Sequence, residues 1–512
     1  MGKSLVDFGL SELLTRASVI IDCTKDVRDA LTAPIPEELI NARKHLNTSQ
    51  RKAYKQIIRH VKDATPGAFF IDGPGKTFLY RALYARVRQL GKIVLPTASS
   101  GIVAANIPTG RTAHSRFKLP IDDSGGMTCN VGKQSSLAAL LRETSLIIWD
   151  EASMAHKHNI EALDLLLKDL CSSDQLFGGK VVVFGGDFRQ VLPVLPSKSQ
   201  AEAVDASLVS SIIWPRLQKF HLSENMRARE DPEFSKFLLE LGNGQLQTES
   251  CAQIQLPPQL MPCLKATDVN LSQIIPDMLP ELEHMHINPD DFTKKAILAP
   301  KNQECDVINE LIIARFPGDA VVYKSFDSID GEDAVNYPPE FLHALRPSGV
   351  SPHELILKHE CPVILLRNLD PANGLCNGTR LSCKAFFPNM IQCTISTGHH
   401  KGQVVFLPRI YMKPSVSSKF PLQFQRKQFP IKLSFAMTIN KAQVQMLDQV
   451  GVHLIEPCFS HGQLYVALSR AQKAENLSIF QINDDTQSKE KGEIQNVIAF
   501  EVLARANVMQ RA

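Results

Sequence analysis

The chain has 512 residues, of which 44% are hydrophobic and 21% are charged, and its formal net charge is +3. This ordinary globular composition excludes a fibrous or intrinsically disordered protein and leaves room for two to four domains. No apolar run approaches the roughly 20 residues of a membrane-spanning helix, and the N-terminus lacks a secretion-signal layout, so we expect an intracellular protein without a membrane partner. Eleven cysteines include no C-x-x-C pair, which predicts free thiols rather than a zinc site or disulfide framework.

Four short apolar segments in the first half of the chain end abruptly in polar or glycine residues. Because a strand covered on both faces is continuously apolar, these segments predict buried parallel strands. The predicted strands are residues 68–72, 92–97, 145–151 and 180–187. Helical segments between them, such as 77–90 and 159–171, complete the pattern of a doubly wound α/β sheet. Such sheets bind ligands beyond the carboxyl ends of their strands.

The pattern of elements repeats after an interruption, which predicts two α/β domains in the chain. Short β-rich runs within the second domain predict an inserted β module. The predicted divisions are a leader at 1–39, a first domain at 40–220 with a mobile insertion at about 118–140, a helical or linker segment at 221–290, and a second domain at 291–512 with the basic β insertion at about 381–429.

Charge is unevenly distributed, because residues 371–447 contain ten lysines and arginines and no Asp or Glu. Aromatic residues such as Phe406 and Tyr411 are interleaved with these cations. A solvated basic face would explain the charges alone, whereas the interleaving suits phosphate neutralisation combined with base stacking on a single strand. We therefore take Lys419, Arg426 and Lys427 as candidate DNA contacts.

A phosphate-binding loop is predicted where the first strand runs into the first helix. Glycines there would turn backbone amides toward phosphate oxygens, the lysine would place its charge on the terminal phosphates, and the threonine hydroxyl would bind magnesium. The residues are Gly73, Pro74, Gly75, Lys76 and Thr77. The complete pattern, G-x-x-x-x-G-K-[ST], needs a glycine at position 70, which is Phe70. The loop is three residues short, and taken alone it is equally consistent with an ordinary strand-to-helix turn.

Two further strand ends carry residues suited to nucleotide hydrolysis. Asp150 and Glu151 end the third predicted strand, where an Asp can hold magnesium and a Glu can polarise the attacking water. Gln190 follows the fourth strand, where an amide can sense the terminal phosphate. Each signal has a bland alternative, a chance Asp-Glu pair or a tight Gly-Gly turn. Three such ends in succession favour a shared nucleotide site.

Three residues outside these strand ends are also candidates for the nucleotide site. Gln50 precedes the loop by about one helix and has the geometry either to read adenine or to cap that helix. Arg227 and Arg470 are candidates for reaching across a domain cleft to the γ-phosphate, although a lone arginine is usually a surface residue.

The ordered set of motifs resembles the Pif/RecD-like group of superfamily-one DNA helicases, especially the branch carried by Helitron transposons. The likeness covers roughly residues 40–475. The matching segments are LNTSQ, GPGKT, PTASSGIVA (96–104), GRTAHSRF (110–117), IIWDEASM (147–154), GGDFRQVLPV (185–194), LSENMR (222–227), LAPKN (298–302), PVILLRNLDPANGLCNGTRL (362–381), FAMTINKAQVQ (435–445) and HGQLYVALSR (461–470).

The resemblance implies two RecA-like P-loop NTPase domains with a small SH3-like β insertion in the second. It implies an ATP-dependent 5′-3′ DNA helicase that uses Mg²⁺, acts on single-stranded DNA and duplex junctions, and is monomeric. Nuclear or mitochondrial roles in DNA repair, recombination and telomere maintenance are further expectations. By matching position, the resemblance implies that Gln50 reads adenine, that Lys76, Thr77 and Asp150 bind phosphate and magnesium, and that Glu151 activates the attacking water. It implies that the γ-phosphate is sensed by Gln190, Arg227 and Arg470. It also implies a place in or near the DNA groove for Thr97, Ser99, His114 and Lys441.

Two departures from the family pattern bear on activity. Relatives carry a loop resembling GPGGTGKT, which is three residues longer, and they place Gly and Thr where this chain has Val444 and Met446. Besides a working helicase, an ATPase-deficient DNA-binding remnant of a transposon helicase would fit these departures. A natural transcript that encodes three more residues would also explain the loop. A different P-loop enzyme, such as a small-molecule kinase, would leave the basic segment unexplained.

Overall fold

The chain folds into two α/β lobes with a set of antiparallel sheets between elements of the second lobe. The computed structural model describes residues 25–120, 128–193, 195, 199–223, 230–246, 252–267, 274–283, 289–329, 337–398, 400–414, 424–482 and 492–506. Within these ranges, no helix combines the length and apolarity needed to cross a bilayer.

The first lobe contains a six-stranded sheet. Its strands are β1 Gly67–Asp72, β2 Ile93–Ala98, β3 Arg111–Thr112, β4 Thr144–Asp150, β5 Val181–Gly186 and β6 Gln218–His221. Their spatial order is β3-β2-β4-β5-β1-β6, and every neighbouring pair is parallel. The four strands predicted from apolar runs are β1, β2, β4 and β5, so the doubly wound sheet is confirmed. The ends of β1, β4 and β5 lie side by side at one edge.

Helices cover both faces of this sheet, and apolar side chains from them form a separate core on each face. The helices of the first lobe are α1 Lys25–Thr32, α2 Glu37–Ile40, α3 Thr48–Asp63, α4 Lys76–Gln89, α5 Gly101–Ala105, α6 Ala113–Phe117, α7 Ser136–Glu143, α8 Lys157–Cys171 and α9 Gln200–Ala206. The two predicted helices correspond to α4 and α8. Of the predicted mobile insertion, residues 121–127 lie outside the described residues, and α7 begins at Ser136.

The rest of the chain supplies eight further helices and seventeen strands within the described ranges. The helices are α10 Pro232–Gly242, α11 Ile274–Met278, α12 Pro289–Lys294, α13 Asn302–Arg315, α14 Pro339–Ala344, α15 Ile439–Ala442, α16 Gln463–Leu468 and α17 Phe500–Arg505. The strands are β7 Gln253–Gln255, β8 Leu264–Thr267, β9 Lys295–Ala299, β10 Val321–Lys324, β11 Phe326–Ile329, β12 Glu354–Leu357, β13 Pro362–Leu365, β14 Arg380–Phe387, β15 Met390–Ile395, β16 Val404–Pro408, β17 Ile410–Met412, β18 Phe424–Gln428, β19 Ile431–Leu433, β20 Ala436–Thr438, β21 Gln449–His453, β22 Leu477–Ile482 and β23 Glu493–Gln495.

The second lobe has its own parallel sheet, in the order β20-β9-β21-β22-β8. Strands β10 to β19 form antiparallel sheets, the largest in the order β16-β15-β14-β13-β19. Two parallel sheets flanked by helices, with antiparallel strands inserted in the second, confirm the predicted fold class. The antiparallel strands begin at residue 321, well before the insertion predicted at 381–429.

The end of the chain returns to the first lobe. Val502 and Leu503 of α17 are buried in the same core as Phe188 and Trp214, and the Trp214 indole N–H donates to the Arg505 carbonyl at 3.1 Å. This differs from the assignment of residues 291–512 to the second domain, because the last helix packs on the first. A helix that returns in this way ties the two lobes together.

The prediction that Arg426 contacts DNA is wrong. Its side chain is fully buried, and its Nε and Nη2 donate to the Asp327 carboxylate at 2.8 and 2.6 Å. Further donations go to the backbone carbonyls of Leu342 and Ser351. A buried arginine paired in this way holds β18 against β11 and α14 and has no donor directed to solvent-borne phosphate.

Candidate active site

A cleft lies between the two lobes at the carboxyl edge of the first sheet. Its cavity volume is about 310 Å³, near the lower end of the roughly 300–1,000 Å³ range typical of small-molecule sites. The predicted residues that line it are Gly73, Pro74, Gly75, Lys76, Thr77, Asp150, Glu151, Gln190 and Arg470. The structure therefore brings the three predicted strand ends and one arginine of the second lobe to a single site.

The short loop between β1 and α4 depends on its glycines. Gly73 and Gly75 have φ values of 100° and 81°, a region that residues with a Cβ rarely adopt. A Cβ on Gly73 would also lie 2.2 Å from the Leu222 carbonyl oxygen. Helix α4 begins at Lys76 directly after Gly75, so the loop has few amides between strand and helix.

Lys76 is half-buried at the start of α4, and its ammonium donates to the Gly73 carbonyl at 3.2 Å. Burial alone would lower the pKa of Lys76, but the charges of Glu151, Asp150 and two further aspartates outweigh it, and the pKa is raised. The lysine therefore stays protonated beneath the loop. A cation held at the start of this helix is what a polyphosphate requires.

Glu151 has the properties expected of a general base. Burial, together with the neighbouring Asp150 and Asp187 carboxylates, raises its pKa to about 7 against the opposing charges of Lys76 and Arg470. Its Oε2 is buried and has no hydrogen-bond partner among the described residues. Its backbone lies in the left-handed region, with φ 53°. An unpartnered carboxylate oxygen in a cleft is placed to accept a proton from a bound water.

Ser99 makes hydrogen bonds to the residues at the end of β4. Its hydroxyl donates to the Glu151 carbonyl at 2.6 Å and accepts from the Trp149 indole N–H at 3.1 Å. Its backbone amide donates to the Asp150 carbonyl at 3.1 Å. Ser99 therefore holds the catalytic strand end in place, and its contact with DNA stays a prediction.

Thr77 and Asp150 offer a hydroxyl and a carboxylate on the same cleft. Burial raises the pKa of Asp150, against the charge of Lys76. Hard oxygen donors of this kind suit Mg²⁺, which usually binds one or two protein ligands together with substrate phosphates. The donor set, with the unpartnered Glu151 oxygen beside it, fits a magnesium–nucleotide complex.

Sequence reasoning missed a polar network in the cleft that is centred on Arg189 and Asp187. Arg189 lies 3.1 Å from the Asp187 carboxylate and 3.8 Å from that of Asp72. The Tyr465 hydroxyl, from the second lobe, donates to Asp187 at 3.3 Å. Burial raises the pKa of Asp187, but Arg189 and Lys76 outweigh it, and the pKa is lowered. Asp72 and Asp187 follow apolar strands, so the signal that found Asp150 was present for them as well.

Gln190 makes one of the contacts between the two lobes within the cleft. Its side-chain oxygen accepts a hydrogen bond from the Gln443 amide at 2.8 Å, and Gln443 follows α15 of the second lobe. Gln190 also donates to Asp187 at 3.4 Å. A side chain that lines the cleft and bonds both lobes is placed to transmit the state of the site.

Arg470 enters the cleft from the end of α16. Its guanidinium donates to the Val466 and Gln445 carbonyls at 3.0 and 3.2 Å and to the Ser469 hydroxyl at 2.8 Å. These bonds orient the side chain, which is almost wholly buried. Sensing of a γ-phosphate by Arg470 stays a prediction that this position supports.

Gln50 adopts the helix-capping geometry that was its alternative interpretation. Its side-chain oxygen accepts from the Asn47 amide at 3.0 Å, and Asn47 accepts from the Gln50 amide at 2.8 Å. The Gln50 amide nitrogen donates to the Gly75 carbonyl at 3.2 Å. Gln50 thus supports the short loop, and adenine reading stays a prediction.

The residues predicted near DNA fall into different environments. Thr97 is fully buried in β2 and donates to the Ile148 carbonyl at 2.7 Å, so its side chain cannot contact DNA, which corrects that assignment. His114 is exposed on α6. Lys427 lies over the Tyr411 ring at 5.3 Å, and Lys441 lines a separate pocket beside α13. The predictions for Arg227 and Lys419 lie outside the described residues.

Val444 adopts a backbone conformation that favours glycine. Its φ is 71°, and for a β-branched residue a positive φ is a genuine outlier. The side chain lines the cleft and packs against Ala98, Val103 and Ala104. The position at which the family resemblance expects glycine is therefore one where the backbone itself prefers glycine.

Two family models match the chain, one over most of the first lobe and on through α10, the other within the antiparallel part of the second lobe. The description "PIF1-like helicase" matches residues 45–252, and "DNA helicase Pif1, 2B domain" matches residues 340–386. The chain is a relative of the PIF1-like helicases. The resemblance to Pif/RecD-like helicases that the motifs indicated is confirmed, and the Helitron branch stays a prediction.

PIF1-like proteins of known name and structure align over most of the chain. It is 25% identical to ATP-dependent DNA helicase PIF1 of Danio rerio, over 80% of this chain and 57% of the relative. It is 27% identical to ATP-dependent DNA helicase Pif1 of Bdellovibrio bacteriovorus, and the alignment covers 80% of this chain and 82% of that relative. The first relatives compared are longer proteins, of which the chain spans about half.

Solved PIF1-like structures share the fold. The crystal structure of Pif1 from Candida albicans superposes with a TM-score of 0.62 at 22% identity, covering 90% of this chain and 99% of that one. The crystal structure of Bacteroides Pif1 bound to ssDNA superposes with a TM-score of 0.63 at 21% identity, covering 91% of this chain and 97% of that one. The two-lobed architecture is thus that of PIF1-like helicases.

We predict that glycine is better than alanine at position 444. A left-handed backbone costs a residue with a Cβ about 1 kcal/mol or more, whereas glycine adopts it freely. Val444→Gly should therefore be more stable than Val444→Ala by about 1 kcal/mol in urea unfolding. At the exposed Val307 within α13, the order should reverse, because alanine is the better helix former. Alanine equal to or better than glycine at 444 would contradict the strained backbone.

We predict that ATP turnover depends on deprotonated Glu151. A base acts only when it has lost its proton, and the pKa of Glu151 is raised to about 7, so kcat/KM for ATP should rise as the pH rises through about 7. Glu151→Gln should lower kcat by roughly 10²–10⁴-fold and remove this rise. Steady-state rates at saturating single-stranded DNA test this. A kcat/KM that stays flat between pH 6 and 8 would exclude Glu151 as the base.

Proposed function

We propose that this chain is an ATP-dependent DNA helicase that hydrolyses ATP in the cleft between its lobes and uses their relative motion to move along single-stranded DNA. The observation that carries the proposal is the meeting of Lys76, Asp150, Gln190 and Arg470 at one cleft, with residues from both lobes. A site closed by two lobes changes when its ligand changes, which is what coupling to a second ligand requires.

The roles of the residues follow from their places in the cleft. Lys76 and the amides at the start of α4 bind the β- and γ-phosphates. Glu151 takes a proton from the attacking water, and Gln190 orients that water while it contacts the second lobe through Gln443. Arg470 stabilises charge on the transferring phosphoryl group from the opposite side. Magnesium, held by Thr77 and Asp150, would neutralise phosphate charge there.

The antiparallel sheets of the second lobe supply one part of the proposed DNA contact, and the first lobe supplies another. Bacteroides Pif1 has been crystallised with single-stranded DNA and with ADP-AlF3, and both ligands are the classes we assign to this chain. Exposed Tyr411, with Lys427 over its ring, offers stacking and charge together, which suits a single strand. Ser99, His114 and Lys441 remain the other proposed contacts among the described residues.

The finer assignments are also part of this proposal. We infer 5′-3′ polarity, use of Mg²⁺, and action at duplex junctions by a monomer. We further place the chain in a Helitron-type branch, acting in the nucleus or mitochondrion in DNA repair, recombination and telomere maintenance. These assignments rest on the motif resemblance and on the names of the relatives.

We predict that ATP hydrolysis by this chain rises at least tenfold when single-stranded DNA is added, because a motor couples its two ligands. Lys76→Ala should abolish turnover while DNA binding persists. Inserting Gly-Thr-Gly after Gly75, which restores the family's loop length, should raise turnover further by supplying phosphate-binding amides. Phosphate release with and without an oligonucleotide measures all three.

Other outcomes would identify the alternatives. DNA binding without turnover, with either loop, would indicate an ATPase-deficient remnant. Turnover that DNA does not change would point to a different P-loop enzyme. Lys62→Ala, at an exposed lysine of α3, is the matched control for loss of one positive charge outside the cleft.

A further inference from the structure

The nucleotide cleft contains a histidine that none of the roles above uses. His221 is the last residue of β6 and lines the cleft beside the short loop. About a third of its side chain is exposed. It lies directly opposite Asp72, the last residue of β1, in the register of the sheet. The residue is therefore at the same edge as the three predicted strand ends.

Asp72 fixes the orientation of this imidazole. The His221 Nδ1 lies 3.0 Å from the Asp72 carboxylate, and since a carboxylate only accepts, Nδ1 carries the proton. The second nitrogen, Nε2, is on the opposite side of the ring. In the charged form both nitrogens donate, so Asp72 would hold Nδ1 while Nε2 remains for an anion in the cleft.

The backbone after His221 packs directly on the shortened loop. The Leu222 amide donates to the Asp72 carbonyl at 2.8 Å, and a Cβ on Gly73 would lie 2.2 Å from the Leu222 carbonyl oxygen. The residues at the end of β6 therefore lie directly beside the loop that follows β1. A loop three residues longer would offer further backbone amides to a phosphate bound beside it.

We propose that His221, oriented by Asp72, binds a phosphate of the nucleotide and so supplies a donor that the shortened loop lacks. This inference rests on the proposed function, because it assumes that the cleft takes a nucleoside triphosphate. His221 is a phosphate-binding residue in this account, and Asp72 is a positioning residue that acts through it. Lys76 at the start of α4 and His221 at the end of β6 would then both contact the phosphates.

The competing explanation is structural. Asp72 also lies 3.8 Å from Arg189, so the Asp72–His221 contact could serve only to join β1 to β6. The two explanations differ in what His221 does to nucleotide affinity when the fold is intact. They also differ in whether the length of the loop changes the importance of His221.

The test is a double-mutant cycle between His221 and the loop, read out as equilibrium binding of MgATP by calorimetry. In the natural chain, His221→Leu should raise Kd about tenfold, since tenfold corresponds to about 1.4 kcal/mol, close to the lower end for a charge-assisted hydrogen bond. His221→Arg keeps a cationic donor and should stay within about threefold of the natural chain. Asp72→Asn should weaken MgATP binding less than His221→Leu does.

With Gly-Thr-Gly inserted after Gly75, backbone amides should take over, and His221→Leu should raise Kd by less than about threefold. His359→Leu, at an exposed histidine in the turn between β12 and β13, is the matched control and should leave Kd unchanged. Unfolding by circular dichroism without nucleotide shows whether each variant remains folded.

Each remaining outcome overturns a specific statement. An unchanged Kd for folded His221→Leu removes His221 from the phosphate site. An equal loss with short and restored loops shows that His221 does not compensate for the loop. If the chain with the Gly-Thr-Gly insertion binds MgATP and the natural chain does not, the inference about His221 is overturned and the proposed function remains. No MgATP binding with either loop overturns both.

Discussion

The electrostatic attraction between the Lys76 ammonium and the four carboxylates of the cleft is the interaction on which the site depends. Asp72 and Asp150 end β1 and β4, Asp187 follows β5, and their negative charges would repel one another without a nearby cation. The charge of Lys76 offsets this repulsion. The same charge would attract polyphosphate, so the arrangement that holds the strand ends together also selects the ligand.

The shortened loop constrains everything next to it. With α4 starting directly after Gly75, the amides that a longer loop would offer are replaced by side chains at neighbouring strand ends. Gln50 fixes the Gly75 carbonyl, and the Leu222 backbone leaves room only for glycine at position 73. The second lobe adds its own strain through the positive φ of Val444. A site built in this way brings the strand ends together around a loop that offers few phosphate-binding amides.

The parts of the structure that could be predicted from sequence are those with a local signal. Continuous apolar runs identified β1, β2, β4 and β5, and the polar residues at their ends identified Lys76, Asp150 and Gln190. Arg426 was assigned wrongly because a run of basic residues does not distinguish a solvated guanidinium from one paired with Asp327, 99 residues away in sequence. The Gln190–Gln443 contact and the return of α17 to the first lobe depend on tertiary packing, which has no local signature.

Coupling between the two lobes is the central claim, because Gln190 and Gln443 join them at the nucleotide site. The most direct measurement is the affinity for a single-stranded oligonucleotide by fluorescence anisotropy, with and without a saturating non-hydrolysable MgATP analogue. A coupled motor should show Kd values that differ at least fivefold, corresponding to about 1 kcal/mol of coupling. Equal Kd values, with the analogue shown to be bound, would contradict the account.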